Sequence, residues 1–273
     1  MEKKDRRKIN GKGEVGVKYY MVDAFTNEHF KGNPAGVCVL ETMLPAEQMQ
    51  QIAAEHNLSE TAFLLKAKEG YQLRWFTPGF EIDLCGHATL ASAFVVFQYL
   101  EPELTEVVFH TMSGDLTVVR KANLYEMSFP QRLPEKIDIT PEAIAIFGSN
   151  SLELYSDRDL YVVMETERQV RGYVPDYNEL KCFKNWLGVV ITAKGEDTDF
   201  VSRYFCPELT LEDPVTGSTH STLVPMWSSR LKKDKMVAKQ LSARGGTLYC
   251  EMGERDVKIS GEAVLYMMGE IMV

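Results

Sequence analysis

The sequence has few cysteines, and no pattern in it would pair them. The five cysteines of the 273-residue chain are widely spaced and odd in number, and no C-x-x-C occurs. Disulfide frameworks and zinc ribbons need even or closely spaced sets. His29 and His56 also lack metal-ligand spacing to a cysteine or a carboxylate. We therefore expect a reducing, cytoplasmic compartment, no metal site and no cofactor held by cysteines.

Long apolar runs and an excess of positive charge are also absent. The most apolar stretch, 88–100, contains Thr89, Ser92 and Gln98 and is shorter than the about 20 residues that span a bilayer. The formal net charge is −9 at pH 7, which repels phosphate backbones. We expect neither a membrane span nor a nucleic-acid partner.

The composition is that of a folded globular protein. Hydrophobic residues make up 45% and charged residues 25%, and the length suits one large domain or two smaller ones. The polar, basic segment 1–17 has no apolar core of a signal peptide, and we predict a disordered N-terminal arm there. Its match to G-x-G-x-x-G at Gly11, Gly13 and Gly16 follows no predicted strand, so it does not indicate a dinucleotide site.

The two halves of the chain follow the same plan. Each half has several strand-like segments, an acidic residue, a glycine turn, one apolar helix and further strands. Segment 85–90 aligns with 216–221, which lies 131 residues later, close to half the chain. An internal duplication produces such an offset. Segment 130–141, rich in proline and charge, is the predicted linker.

The two glycine turns are the candidate binding elements. Gly86 and Gly217 each precede a predicted helix, and a helix N-terminus attracts anions through its free backbone N–H groups. Two such ends facing each other would hold a small carboxylate. The candidate proton-transfer groups near the turns are Glu60, Glu81, Asp83, Cys85, His87, Asp213 and His220. On composition alone, a residue such as Glu60 is more often a solvated edge residue than a base, and one such as His220 more often a packed core histidine. Asp213 before Pro214 fits a turn former as well.

Five blocks in a fixed order carry a family resemblance. They are Asp23-Ala24-Phe25-Thr26 with Gly32-Asn33-Pro34-Ala35, Asn57-Leu58-Ser59-Glu60-Thr61, Arg74-Trp75-Phe76-Thr77-Pro78, Cys85-Gly86-His87-Ala88-Thr89, and Glu212-Asp213-Pro214-Val215-Thr216-Gly217-Ser218. From about Tyr19 to its C-terminus the chain resembles the phenazine-biosynthesis PhzF family, which shares its fold with diaminopimelate epimerase. The resemblance implies an α+β fold of two similar domains. Each would be a curled, mostly antiparallel sheet around a central helix, with the active site between the domains.

The expected domains and site residues follow from the resemblance. The N-terminal domain would span 18–130, with a last strand that can come from about 263–273, and the C-terminal domain 131–262. The resemblance implies a cofactor-independent isomerase in which Glu60 is the general acid and base. The remaining site residues would be His87, Asp213 and Ser218 as catalytic groups, and Asn33, Gly86, Thr216 and Gly217 as substrate-binding groups. The implied substrate is a small carboxylic acid, and a homodimer is expected.

Two alternative functions remain open from the sequence. One is a protein that binds a small acid without turning it over, and the other is an epimerase that uses Glu60 or Cys85 with a second base. Racemisation by two thiols is excluded, because the position equivalent to Cys85 in the second half is Thr216. Cys85 also differs from the alanine expected in the phenazine enzyme, so the substrate of that enzyme cannot be assumed.

Overall fold

The computed structural model describes residues 16–148 and 152–273. Residues 1–15 of the predicted disordered arm, 1–17, lie outside the described residues. Its last two residues are corrected by the structure, because Gly16 and Val17 already belong to the first strand. Val17 is buried there, and its ladder with the C-terminal strand holds it in place.

The first half of the chain builds a curled sheet around one buried helix. All ten residues of helix α2, Gly86–Val95, are buried, as expected for a helix that is apolar on every side. A π-helical turn, Val96–Leu100, continues it. Helix α1, Ala46–His56, packs on the outside of the sheet. The strands are β1 Gly16–Ala24, β2 Asn33–Leu40, β3 Glu60–Lys66, β4 Tyr71–Phe76, β5 Glu81–Ile82, β6 Glu106–Thr111, β7 Gly114–Lys121 and β8 Leu124–Pro130.

The second half repeats this arrangement around a second helix. Helix α6, His220–Leu231, follows a 3₁₀ turn at Gly217–Thr219, and its first eight residues are buried. Three shorter helices lie in this half: α3 Pro141–Phe147, α4 Glu167–Gly172 and α5 Tyr177–Leu180. The strands are β9 Glu135–Ile137, β10 Glu153–Ser156, β11 Leu160–Val163, β12 Val189–Lys194, β13 Phe200–Cys206, β14 Leu211–Asp213, β15 Lys235–Gln240, β16 Gly246–Met252, β17 Asp256–Gly261 and β18 Ala263–Met272.

A continuous hydrogen-bonded ladder joins the two halves. It runs from β18 through β1, β2, β3, β4, β6, β7 and β8, crosses to β17, and continues through β16, β15, β13, β12, β11 and β10 to β9. Most pairings are antiparallel; β2–β3, β4–β6, β11–β12 and β13–β15 are parallel. The last strand of the chain therefore lies in the sheet of the first half. The domain boundaries stay a prediction.

Two local predictions are wrong in instructive ways. The composition of segment 32–36, with two glycines, an asparagine and a proline, predicts a turn, but only Gly32 has a left-handed backbone (φ +63°), and β2 begins at Asn33. A Cβ on Gly32 would lie 2.1 Å from the Ala24 carbonyl oxygen, so glycine is required there. Pro34 is tolerated because it lies at the start of its strand. The predicted linker contains β9, which forms only because the distant β10 pairs with it.

The helices also bear on the membrane question. Among the described residues, none of the helices has both the length and the apolar character needed to cross a bilayer.

Candidate active site

The two glycine turns face each other at the junction of the halves. A Cβ built on Gly86 would lie 3.6 Å from the Gly217 Cα and 3.9 Å from the Ser218 amide nitrogen. Neither helix start has a side-chain oxygen as its cap; at the first, the Ala88 N–H points to the Cys85 sulfur, a weak acceptor. Such N–H groups, with the helix dipole behind them, bind anions. The two glycines are themselves in van der Waals contact, so an anion can reach these N–H groups only in the space beside the two turns, called the gap below.

Glu60 and His87 form the central contact beside this gap. Glu60 begins β3, and His87 lies in the first turn of α2. His87 Nε2 lies 3.1 Å from Glu60 Oε2, with the two side chains 6% and 16% exposed. The two atoms are at ion-pair distance but are not aligned as donor and acceptor, and neither has a hydrogen-bond partner among the described residues. The Glu60 carboxylate is thus in direct contact with the His87 ring at the edge of the gap.

The surroundings of His87 favour its charged form. Its Nδ1 lies 3.5 Å from Cys85 Sγ and 3.2 Å from Asn33 Nδ2. Burial opposes the charge, but the Cys85 sulfur and the Glu60 carboxylate outweigh it and hold the pKa of His87 well above its usual value. Burial, and secondly the Glu60 charge, raise the pKa of the Cys85 thiol. His87 and Cys85 are thus electrostatically coupled, and the Glu60 carboxylate favours the charged imidazole while it disfavours the thiolate.

Asp213 lies on the opposite side of the gap, at the end of β14. Its carboxylate accepts a hydrogen bond of 2.9 Å from Asn33 Nδ2 and another from the Thr216 hydroxyl. Burial raises the pKa of Asp213 to about 6, although the His87 charge lowers it, and the Glu60 charge adds to the rise. Asp213 therefore changes charge in the range of mildly acidic pH.

Asn33 ties the two halves together at the site. It is fully buried in β2, and its Nδ2 also donates a 2.9 Å hydrogen bond to the Val215 carbonyl. Its two amide hydrogens are therefore accounted for by Asp213 and Val215, both in the second half. Because Asn33 is the first residue of β2, its side chain reaches across the junction of the halves.

Two residues of the site were not predicted. The Arg158 guanidinium donates from Nη2 to Ser218 Oγ over 3.2 Å. Gln240, 1% exposed, donates to the Asp213 carbonyl over 2.8 Å and accepts from the Thr216 amide over 2.9 Å. Neither residue belongs to a sequence block that carries chemistry, and only the folded sheet brings them to the second glycine turn. No signal in the sequence would have found them.

The structure brings all the predicted site residues together. Contacts connect Glu60, His87, Asn33, Asp213 and Thr216 in that order, and the remaining three residues line the gap: Gly86, Gly217 and Ser218. Of the other candidates, Glu81 pairs with Arg74 away from the gap, and the His220 ring is fully buried. The roles assigned to the site residues stay predictions.

One group of donor atoms could geometrically hold a metal ion. Ligand atoms of Glu60, Cys85 and His87 lie within 4.8 Å of one another. Cysteine binds metals as the thiolate, and both burial and the nearby Glu60 charge oppose deprotonation of Cys85. The donor set therefore suits a proton-transfer network better than a metal site, and the absence of a metal stays a prediction.

Comparison with known proteins decides the family. Residues 22–269 match the family model PhzC-PhzF, described as "Phenazine biosynthesis-like protein". The chain belongs to the PhzF family. A Pseudomonas aeruginosa protein named as an uncharacterized isomerase is 43% identical over 257 residues, which cover 93% of this chain and 98% of that protein. A crystal structure of a PhzC/PhzF protein from Clostridium difficile superposes with a TM-score of 0.90 at 53% identity, over 94% of this chain and 100% of the other.

Structures of more distantly related proteins share only the fold with this PhzF family member. A hydroxyproline epimerase from Agrobacterium vitis superposes with a TM-score of 0.61 at 12% identity, over 94% of this chain and 93% of the other. The predicted epimerase-like α+β fold is confirmed, and so is the prediction of an enzyme of the isomerase class.

Proposed function

We propose that the protein isomerises a small carboxylic acid without a cofactor, by proton transfer through Glu60. The observation that supports this most directly is the Glu60–His87 contact of 3.1 Å beside the paired glycine turns. This contact joins a carboxylate to a buried cation, and two sets of backbone N–H groups lie beside it at the same gap. These groups can act as a base, an electrostatic stabiliser and an anion-binding site, respectively.

The reaction would begin with the substrate carboxylate at the turns of Gly86 and Gly217. Glu60 removes a proton from a carbon conjugated with that carboxylate, and the electron pair moves into the conjugated system. The charged His87 and the backbone N–H groups stabilise the enolate-like charge. Glu60 then returns the proton to a different carbon, which moves a double bond and leaves the enzyme unchanged.

The other side chains would position substrate and charge. Asp213 and Ser218 face the gap from the second half, and Thr216 and Asn33 hold the Asp213 carboxylate. Asn33 and Asp213 belong to different halves and are joined by a hydrogen bond. The site is therefore complete only when the two halves are in contact. A closed junction excludes water from the enolate-like intermediate.

The fate of one proton tests the proposal. Small unsaturated, hydroxy and amino acids would be incubated with the enzyme in deuterated water and followed by proton NMR. We expect exchange or rearrangement of one compound by the wild type, and a roughly 10²- to 10⁴-fold slower rate for Glu60→Gln. Glu55→Gln is the matched control, because Glu55 is an exposed carboxylate of α1. Equal rates for Glu60→Gln and wild type would refute the role of Glu60.

We further propose a cytoplasmic homodimer that pairs through β18. One side of β18 pairs with β1, and the other pairs with no strand among the described residues. Its exposed residues include Tyr266, Met267 and Met268. A ten-residue apolar edge is a template for a second copy, and a two-fold axis would pair both edges antiparallel. Light scattering after size exclusion should give twice the 31.0 kDa chain mass, and Met268→Lys should give the mass of the monomer. A monomeric wild type would refute the dimer.

The proposed cytoplasmic location is tested by cell fractionation. Recovery of the protein in a membrane or secreted fraction would contradict it.

A further inference from the structure

Arg158 places a positive charge at the second glycine turn. It lies in the connection between β10 and β11, where its carbonyl accepts a 3.1 Å hydrogen bond from the Leu187 amide. Its Nη2 donates to Ser218 Oγ over 3.2 Å, and about a third of the side chain is exposed. Ser218 is also the residue whose amide nitrogen faces Gly86 across the gap. The guanidinium therefore lies next to the proposed anion-binding site at the second glycine turn.

A buried carboxylate fixes the orientation of this guanidinium. Asp159, 1% exposed, accepts from Arg158 Nε over 3.2 Å and from Nη2 over 2.9 Å. The second Asp159 oxygen accepts from the Tyr204 hydroxyl over 3.1 Å. Because Asp159 is buried and Arg158 is partly exposed, the ion pair presents its positive end to the solvent side. An arginine held in this way loses little side-chain entropy when it binds an anion.

The charges around the gap make such a cation necessary. Glu60 and Asp213 share one cation, His87, at the gap, whereas Arg158 pairs with Asp159; all three carboxyl groups act on the Cys206 thiol. A substrate carboxylate adds another negative charge. His87 is already in contact with Glu60, whereas the outer edge of Arg158 is available to the ligand.

We propose that Arg158 is a substrate-binding residue that anchors the substrate carboxylate and so restricts the enzyme to acids over their neutral analogues. The inference rests on the proposed function for the location of the substrate. It names the residue that selects the substrate class. The glycine turns alone do not select it, because backbone N–H groups also donate hydrogen bonds to neutral carbonyls.

Binding of matched acids and amides tests this role apart from catalysis. The probes are acetate, crotonate and benzoate, each compared with its carboxamide, and dissociation constants come from NMR titration. Variants Arg158→Gln and Arg158→Lys are compared with wild type. Arg132→Gln is the control. The Arg132 side chain is 41% exposed, and its ion pair with Asp157 is long, with 3.8 Å between Nη1 and Oδ2. Thermal unfolding confirms that each variant is folded.

We expect Arg158→Gln to weaken binding of each acid roughly 10- to 100-fold and to change the amides less than about twofold. Arg158→Lys should fall between, since lysine keeps the charge without the planar fork. Equal weakening of acids and amides would show a structural role, and no weakening, or no preference of the wild type for acids, would also overturn the inference. Glu60→Gln should lose exchange but still prefer acids, so failure of the proposed function is distinguishable from failure of this one.

Discussion

One methyl group placed between the two glycine turns should separate binding from stability. In Gly217→Ala the added Cβ would lie 3.4 Å from Phe25 Cζ and 3.8 Å from Gly86 Cα. Both are ordinary van der Waals distances, and Gly217 does not have a left-handed backbone. The fold should therefore tolerate alanine. The unfolded chain loses entropy on this substitution, which contributes about 0.4–1 kcal/mol to stability, or roughly 1–4 °C in Tm.

The same methyl group lies beside the backbone N–H groups proposed to bind the substrate carboxylate, and it would crowd a ligand there. Loss of two charge-assisted hydrogen bonds, at about 1.5–3 kcal/mol each, corresponds to a roughly 10²- to 10⁴-fold weaker affinity. The assay is the dissociation constant of the acid identified by deuterium exchange, with calorimetric unfolding of the same samples. Gly172→Ala is the matched control, because its Cβ would meet nothing within 4 Å. Unchanged affinity in Gly217→Ala would refute carboxylate binding at the glycine turns. A large fall in Tm would refute the prediction that the fold tolerates the added methyl group.

Two further predictions concern Asp213. Its native pKa of about 6 lies above its ordinary value of 3.8, so the native state binds more protons than the unfolded state between these values. Stability should therefore fall as pH rises from about 4 to about 6, and Asp213→Asn should lack this component; parallel Tm-against-pH curves for the two proteins would contradict it. Activity should fall as pH drops through about 6, because the protonated carboxyl no longer accepts from both Asn33 and Thr216. The kcat/KM profile of Asp213→Asn should lose this acid limb, and its persistence would assign the limb to another group.

The site could be predicted where chemistry lies in local sequence. Gly86 with His87, and Gly217 with Ser218, carry their signal in a few adjacent residues, because a helix start and its ligand-facing groups are neighbours along the chain. The repeat of the pattern after 131 residues also predicted that the turns are equivalent. Their facing arrangement across the junction follows from this duplication.

The remainder depends on contacts distant in sequence. Arg158 and Ser218 are 60 residues apart, and Asn33 and Asp213 are 180 apart. The segment around Arg158 has the composition of an ordinary polar turn, so only the packing of β10, β11 and β13 shows which way its guanidinium points. Strand β9 was missed for the same reason, because its pairing partner supplies what its sequence lacks.

The position of β18 constrains the order in which the protein can be made. The ten residues of this strand follow every other described strand along the chain, and they pair along the whole of β1. Strand β17 likewise pairs with β8 of the first half. The sheet of the first half is therefore incomplete until the last strands of the second half have been synthesised. A chain without β18 would leave one edge of β1 unpaired, which favours aggregation.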